Sequence, residues 1–427
     1  MQTIGTAREH FEAGRLDQCA ALCRTLLEAD PGNNDARLLL AACLDAQGRI
    51  LVDEGLIEEA IDAFGQAVAA DPANAATHTE LGRALAVEGW FDEALAAMTD
   101  ALCLSPADIG INLDRAMMLL KAGHLLEGWA ANEWRHKQPE HGTTPPAPML
   151  PKLKHLSDLS GRTILIRHED GFGDTIQFLR YAQLLAETGA RIVLSAPREL
   201  ARLMRGQAGI ADVLTSNAEI PGNADWARYD YHCPIGSLPY VFDTSIETIP
   251  ADGAYISADV ALTAEWAARL PPGPRVGLVW AGASRSGAPA AKALDRRRSL
   301  PFKMLLPLTV TPGLSFVSLQ MGPARSQIAG GVHDPMGAVK DFADTAAIIA
   351  NLDAVISVDT ATAHLAGAMG KPVFLLDRYD NSWRWLHGRG DSPWYPTLMI
   401  FRQTQPGDWL GPVTQAAQTL EEFFPEG

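Results

Sequence analysis

Cysteine is scarce in this chain: five residues among 427, with no CxxC spacing. Cys19, Cys23, Cys43, Cys103 and Cys233 are odd in number, which speaks against a disulfide framework and against a thiolate metal site. Cys19 and Cys23 fall one helical turn apart, so the expectation is neighbouring, reduced, buried thiols. Positive charge is also in short supply. The 35 Lys and Arg face 51 Asp and Glu, a formal charge of −16. Phosphate polymers and anionic membrane surfaces need the opposite sign, so nucleic-acid binding is not expected. No apolar run is long enough to span a bilayer, and MQTIGTAREHFEAGRL at the N-terminus has no apolar signal core. A cytoplasmic chain with no membrane span is the expectation. The GxGxxG dinucleotide pattern and the GxSxG hydrolase elbow are absent too. What is present is 47% hydrophobic and 20% charged, the composition of a globular chain, at a length that calls for two or three domains.

The front of the chain repeats itself. Residues 57–90 (IEEAIDAFGQAVAADPANAATHTELGRALAVEGW) align without gaps on residues 91–124 (FDEALAAMTDALCLSPADIGINLDRAMMLLKAGH), and Pro72 falls on Pro106. A fixed period of 34 with apolar residues at helical spacing is the mark of tetratricopeptide (TPR) helix pairs. An earlier copy over 16–48 carries Pro31, seven residues too far from Pro72 for that period. The surplus lies around ILVDEGL (50–56). Two extra turns on a second helix absorb it without rotating the apolar face. A partial fourth unit, LLEGWAANEWRHK, covers 125–137. Stacked pairs bury a shared core and leave a concave groove. That groove either packs on the rest of the chain or, the favoured reading, binds a polypeptide.

PEHGTTPPAPMLP (139–151) holds five prolines and reads as a linker. Beyond it, short β-rich runs alternate with helical stretches: 163–167, 191–195, 275–280, 315–319, 354–358 and 372–376. Runs apolar on both faces and separated by helices predict parallel sheets. The expected division is a repeat domain over 1–138, a Pro-rich linker over 139–160, and two α/β halves over 161–258 and 259–427. In such sheets ligands bind beyond the carboxyl ends of the strands.

Three loops could carry chemistry. The first, HEDGFGD (168–174), joins a strand to a helix. Its glycines and acidic residues fit either an active-site loop or a tight turn with Asp174 as cap. The second, WAGASRSGAPAAKALDRRRSLP (280–301), holds Lys292, Arg296, Arg297 and Arg298, the densest basic cluster in an acidic chain. Arginine forks suit phosphate oxygens, although a solvated loop is the plainer alternative. The third, ISVDTATAHLAGAMGKP (356–372), places Thr360 and His364 on one face at a helix start. Backbone N–H groups, a hydroxyl and an imidazole there can hold a diphosphate. A buried core histidine is the competing reading of His364. GRGDSP (388–393) matches a cell-adhesion hexapeptide and is read as coincidence.

In combination these blocks resemble bacterial TPR-linked glycosyltransferases of the heptosyltransferase (family 9) class. The resemblance runs through GWAANEWR, EDGFGDTIQFLRYAQLL, YHCPIGSLP, VGLVWAG, DRRRSLP, VSLQ, DFADTAAIIANLDAVISVDTATAHLAGAMGKP and DSPWYPTLMIFRQ. It implies an all-α TPR superhelix followed by an α/β GT-B fold of two Rossmann-like domains, the second binding the nucleotide-sugar. It implies Asp174 as general base, with Glu169 or Asp170 as understudy. It places Arg298 where the family has a phosphate-binding lysine, and Asp359, Thr360 and His364 on a diphosphate loop. Gln320 would contact base or ribose, and Gly173, Gln177, Trp280, Gly282 and Ser299 complete the implied nucleotide-sugar site. Some relatives are linked to flagellin glycosylation, with the repeats recognising the protein acceptor. Two departures stand out: Asp170 where the family usually has Gln, and ASRSGAPAAKA in place of an Asn-containing loop.

The implied chemistry is inverting glycosyl transfer with no metal and no cofactor beyond the nucleotide-sugar. A carboxylate accepts the acceptor's proton while cationic groups meet the leaving phosphate. Asp170 and Asp174 on one short loop are a thin case for a metal site. The competing reading is a non-catalytic TPR adaptor whose α/β part has lost activity.

Overall fold

A computed structural model describes residues 3–138, 145–156, 158–218, 221–282 and 289–425. The chain divides into two compact units, residues 1–142 with 386–388 and residues 143–385 with 389–427.

The first unit is a run of antiparallel helices: α1 (Ile4–Glu12), α2 (Leu16–Ala29), α3 (Asn34–Glu54), α4 (Ile57–Ala70), α5 (Ala75–Glu88), α6 (Phe91–Leu104), α7 (Ile109–Ala122) and α8 (Leu125–Asn132). Local chemistry sets the repeat. Asn33, Asn74 and Asp108 each cap a helix, accepting from Ala36, Ala76 and Ile111 N–H at 3.0, 3.1 and 2.9 Å. Those three helices end on left-handed glycines, Gly55, Gly89 and Gly123. The expected lengthened helix is α3, with 21 residues against 14 in α5 and in α7. Close packing follows from small residues. A Cβ on Gly48 would lie 2.6 Å from Phe64 Cε1, and one on Gly82 would lie 2.9 Å from Met98 Cε. A ladder of alternating charge crosses α3, α5 and α7: Arg49 with Asp45 and Glu80, then Arg83 with Glu80 and Asp114.

Cys19 and Cys23 are neighbours as expected, and the cysteine expectation needs one addition and one correction. Cys19 has Cys43 of the next helix at 2.7 Å between sulfurs, a contact across α2 and α3 that sequence spacing could not show. Cys103 is exposed, while the other four are buried and all five are free. Burial pushes the Cys23 thiol up to about 12.

The second unit holds two parallel sheets. In the first half β1 (Thr163–Arg167) leads to α9 (Phe172–Phe178) and α10 (Arg180–Glu187). There follow β2 (Arg191–Ala196), α11 (Arg198–Met204), β3 (Asp212–Thr215), β4 (Tyr231–Pro234) and α12 (Leu238–Val241). The second half opens with α13 (Val260–Ala267), then β5 (Arg275–Val279), α14 (Pro289–Arg297), β6 (Ser315–Ser318) and α15 (Phe342–Ala350). It closes with β7 (Ala354–Val358), α16 (Ala361–Ala368), β8 (Val373–Asp377), β9 (Leu398–Arg402) and α17 (Leu410–Phe423). The sheet orders are β3-β2-β1-β4 and β6-β5-β7-β8-β9, every pairing parallel. These are the two Rossmann-like halves of the expected GT-B plan.

β7 and β8 are buried along their whole length, so they carry no polar alternation. Around them Trp280, Phe302, Phe316, Phe374 and Trp409 form the core of the second half. The six expected strands are all present, each end within one residue. β3, β4 and β9 were not among them. Part of the expected linker is paired: Pro148 C=O accepts from His232 N–H at 2.9 Å, and Leu150 N–H donates to His232 C=O at 2.8 Å. Residues 139–144 and Ser157 of that stretch, and 283–288 of the basic loop, lie outside the described residues.

Candidate active site

The stretch HEDGFGD is both a tight turn and the start of a helix. Asp170 takes a left-handed backbone, φ 58°, a conformation aspartate tolerates better than most residues. Gly171 then donates its N–H to Asp174 Oδ2 at 3.2 Å, so Asp174 caps its own helix from the first turn. Glu169 is buried and Asp170 exposed. α9 packs on α16, which brings the turn after β1 against the turn after β7. At that contact Gly173 lies close against the His364 ring, with no room for a Cβ.

Asp174 reaches the second half directly, through an ion pair of its Oδ1 with Arg384. Arg384 also donates from Nε to Gln177 Oε1 at 3.0 Å and from Nη1 to Ser382 Oγ at 3.3 Å. The Trp383 ring lies 4.5 Å beneath its guanidinium. Burial works against this cation, but Asp174 and Asp359 outweigh it and hold its pKa above the ordinary value. Nothing in the loop-by-loop reading of the sequence singled out Arg384. Its available signal was an arginine between two tryptophans, WRW, ahead of the hexapeptide GRGDSP.

The turn from β7 to α16 has the form of an anion site. Thr360 starts the helix from an extended conformation, but its side chain caps none of the helix N–H groups. Its Oγ1 instead pairs with Ser357 Oγ at 3.1 Å. The first-turn N–H groups thus carry the positive end of the helix dipole with no side-chain cap. His364, one turn into α16, is buried. Its Nδ1 is bonded to the Tyr395 hydroxyl at 2.9 Å and its ring stacks on Trp385 at 5.1 Å. Burial pushes its pKa down to about 4, with Asp359 partly offsetting, so the imidazole is neutral and supports the turn by packing.

Arg298 lies against the bare backbone of Gly282, where a Cβ would land on its guanidinium. It pairs with Asp295 Oδ1 at 2.7 Å and donates to Asp359 C=O at 3.2 Å. Its Nε is buried without a hydrogen-bond partner. Ser299 Oγ accepts from Gly282 N–H at 3.1 Å, fixing the strand exit. Two expected contacts are not available. The Gln320 side chain is consumed by backbone: Oε1 accepts from Trp280 and Ala281 N–H, and Nε2 donates to Ala281 and Met321 C=O. The Trp280 ring faces the core, edge-on to Phe302 at 4.7 Å. Both shape the loop from beneath. At the end of β8, burial pushes Asp377 up to about 6 although Arg402 pairs with it at 2.9 Å. Among the described residues no group of three or more His, Cys, Asp or Glu could hold a metal ion.

Residues 337–412 match the sequence profile of glycosyltransferase family 9 (heptosyltransferase), and 10–50 and 46–109 match tetratricopeptide-repeat profiles. The chain carries TPR repeats and a glycosyltransferase family 9 domain. Asp359, Thr360, His364 and Arg384 lie inside the matched part of the family 9 domain. Over 335 residues the chain is 31% identical to Protein FlbA of Caulobacter vibrioides, an alignment covering 72% of this chain and 54% of that protein. The chain therefore spans about half the length of this relative. A solved glycosyl transferase family 9 structure from Veillonella parvula overlays 62% of this chain and 96% of its own, with 10% identity and a TM-score of 0.45. YrrB, a TPR protein described as having an unusual peptide-binding site, overlays 32% of this chain and 68% of its own, with 24% identity and a TM-score of 0.26. Among the described residues no helix is long and apolar enough to cross a membrane.

Proposed function

We propose that the chain transfers a sugar from a nucleotide-sugar to a polypeptide bound by its repeats, with inversion at the anomeric carbon and without a metal ion. The observation that carries this is the meeting of the two turns. The Asp174 carboxylate of the first half is ion-paired with Arg384 of the second, and Gly173 of the same turn packs against His364, one turn into the helix that Asp359 and Thr360 begin.

The chemistry follows from that placement. The donor's phosphates sit at the start of α16, beside Arg298. An acceptor hydroxyl attacks the anomeric carbon, the bond to the phosphate oxygen breaks, and the hydroxyl proton passes to Asp174. Each Asp174 oxygen keeps a lone pair after its bonds to Gly171 and Arg384. Charge growing on the leaving phosphate is met by Arg298 and by the uncapped N–H groups of α16. Gly282 lets the Arg298 guanidinium lie along the backbone. The repeats supply the acceptor, and the family resemblance makes flagellin the first polypeptide to try.

Asp174→Asn is the deciding variant. Transfer should vanish while nucleotide affinity stays within a few-fold, and loss of binding instead would make Asp174 structural. Removing 1–138 should abolish protein modification and spare slow donor hydrolysis. Unchanged transfer without the repeats sinks the acceptor assignment, and undiminished activity in excess EDTA is the expected metal result. A chain that binds nucleotide but never turns over a donor is the TPR adaptor.

A further inference from the structure

Arg384 is unusual for a partly buried arginine in being used up at one place. Its fork takes Asp174 with Nη2 and Gln177 with Nε, two residues one turn apart on α9. Its third leg, Nη1, returns to Ser382 on its own side. Trp383 closes one face of the guanidinium plane. Asp174 Oδ2 is meanwhile held by Gly171 N–H. Both carboxylate oxygens are therefore fixed by directional bonds, one from each half of the α/β unit. A cation with only structural work could pair with any surface acid. This one is committed to the carboxylate that would take the proton, and Asp359 on the turn after β7 adds to the field that keeps it charged.

We infer that Arg384 is a positioning residue for the transfer reaction: it aims the Asp174 carboxylate at the acceptor hydroxyl without touching either substrate. The inference rests on the transferase reading of Asp174. A planar fork holds the carboxylate and the Gln177 amide together, and a lysine ammonium cannot reach both with one geometry. The halves must be docked for the bond to exist, so the base is aimed only when the phosphate turn is in place.

The test uses the full chain and a mixture of UDP-, GDP-, ADP- and CMP-sugars, read as nucleotide released. Arg384→Ala should lower kcat about 100-fold with KM within a few-fold, the scale of a misplaced catalytic group. Adding guanidinium chloride at about 50 mM should restore at least about a tenth of the lost rate, because a free guanidinium can refill the fork, whereas sodium chloride should not. Arg384→Lys should fall between the two. A structural role predicts no rescue and a lowered melting temperature, and either that pattern or full activity in Arg384→Ala overturns the inference. Should Arg384→Ala not fold, Arg384→Lys keeps the charge without the fork and should still lower kcat with KM within a few-fold, and full activity in that variant overturns the inference. Asp174→Asn separates the two claims. If it is inactive while Arg384→Ala is at full rate, only the Arg384 inference falls. If Asp174→Asn matches wild type, the transferase reading falls and takes this inference with it.

Discussion

Gly173 and His364 touch across the two α/β halves so closely that a Cβ on the glycine would fall 2.9 Å from His364 Cδ2. The ring cannot give way easily, since Trp385 stacks on one face and Tyr395 holds Nδ1. Gly173→Ala should therefore push α9 away from the phosphate turn by a few tenths of an ångström. Turnover should fall about 10- to 100-fold with little change in melting temperature. Steady-state kinetics against a thermal melt checks this, and a full-rate alanine variant would show that the contact is not under catalytic constraint.

Arg298 and Gly282 give a binding prediction. Gly282→Ala displaces the guanidinium, and Arg298→Gln removes its charge. Both should weaken nucleotide binding by roughly 1.5–3 kcal/mol, the range for a charged hydrogen bond. Titration calorimetry should show the two variants alike. A large loss in Arg298→Gln alone would mean that the Gly282 approach is dispensable.

Two buried groups near the turn from β7 to α16 should oppose each other in acid. His364 is lowered from 6.5 to about 4, so its share of stability is complete above pH 6.5 and is lost as pH falls toward 4. Asp377 is raised from 3.8 to about 6, so the folded state gains relative stability over nearly the same fall. Each shift is on the order of 3 kcal/mol, and their slopes largely offset. Asp377→Asn should remove the gain. Its urea stability should then drop between pH 6.5 and 4.5 by about 2 kcal/mol more than that of wild type. Parallel profiles for the two proteins would contradict the assignment.

In the repeats, Gly48 lies under the Phe64 ring, where a Cβ would meet Cε1 at 2.6 Å. Gly48→Ala should cost about 1–3 kcal/mol by overpacking, despite the better helix propensity of alanine. Urea unfolding followed by circular dichroism reads this directly. An unchanged or raised midpoint would show that α3 and α4 can slide to accept the methyl.

Much of this was legible because it is local. A period of 34 sets the helix pairs, and continuous apolar runs set the buried strands. β3 and β4 escaped notice because each is only four residues, one starting on Asp and the other ending on Pro. The turns at Asp174 and Thr360, on which the proposed site is built, were legible because each is a local strand-to-helix junction. The proposed site was not legible where distant segments meet. Arg384 meets Asp174 across 210 residues of sequence, a pairing that only the docked halves create. The directions of the Gln320 and Trp280 side chains were not legible either, since they depend on packing at the ends of two different strands that sequence spacing does not reveal.

The proposed nucleotide-sugar site rests on Arg298 and the start of α16. Thermal melting of the full chain with UDP, GDP, ADP, CDP and CMP at about 1 mM tests it most directly, since a ligand at 100 times its Kd stabilises the fold by about 2.7 kcal/mol. One nucleotide should raise the melting temperature, and Arg298→Gln should remove the rise. No rise with any of them, or a rise that survives in Arg298→Gln, contradicts it.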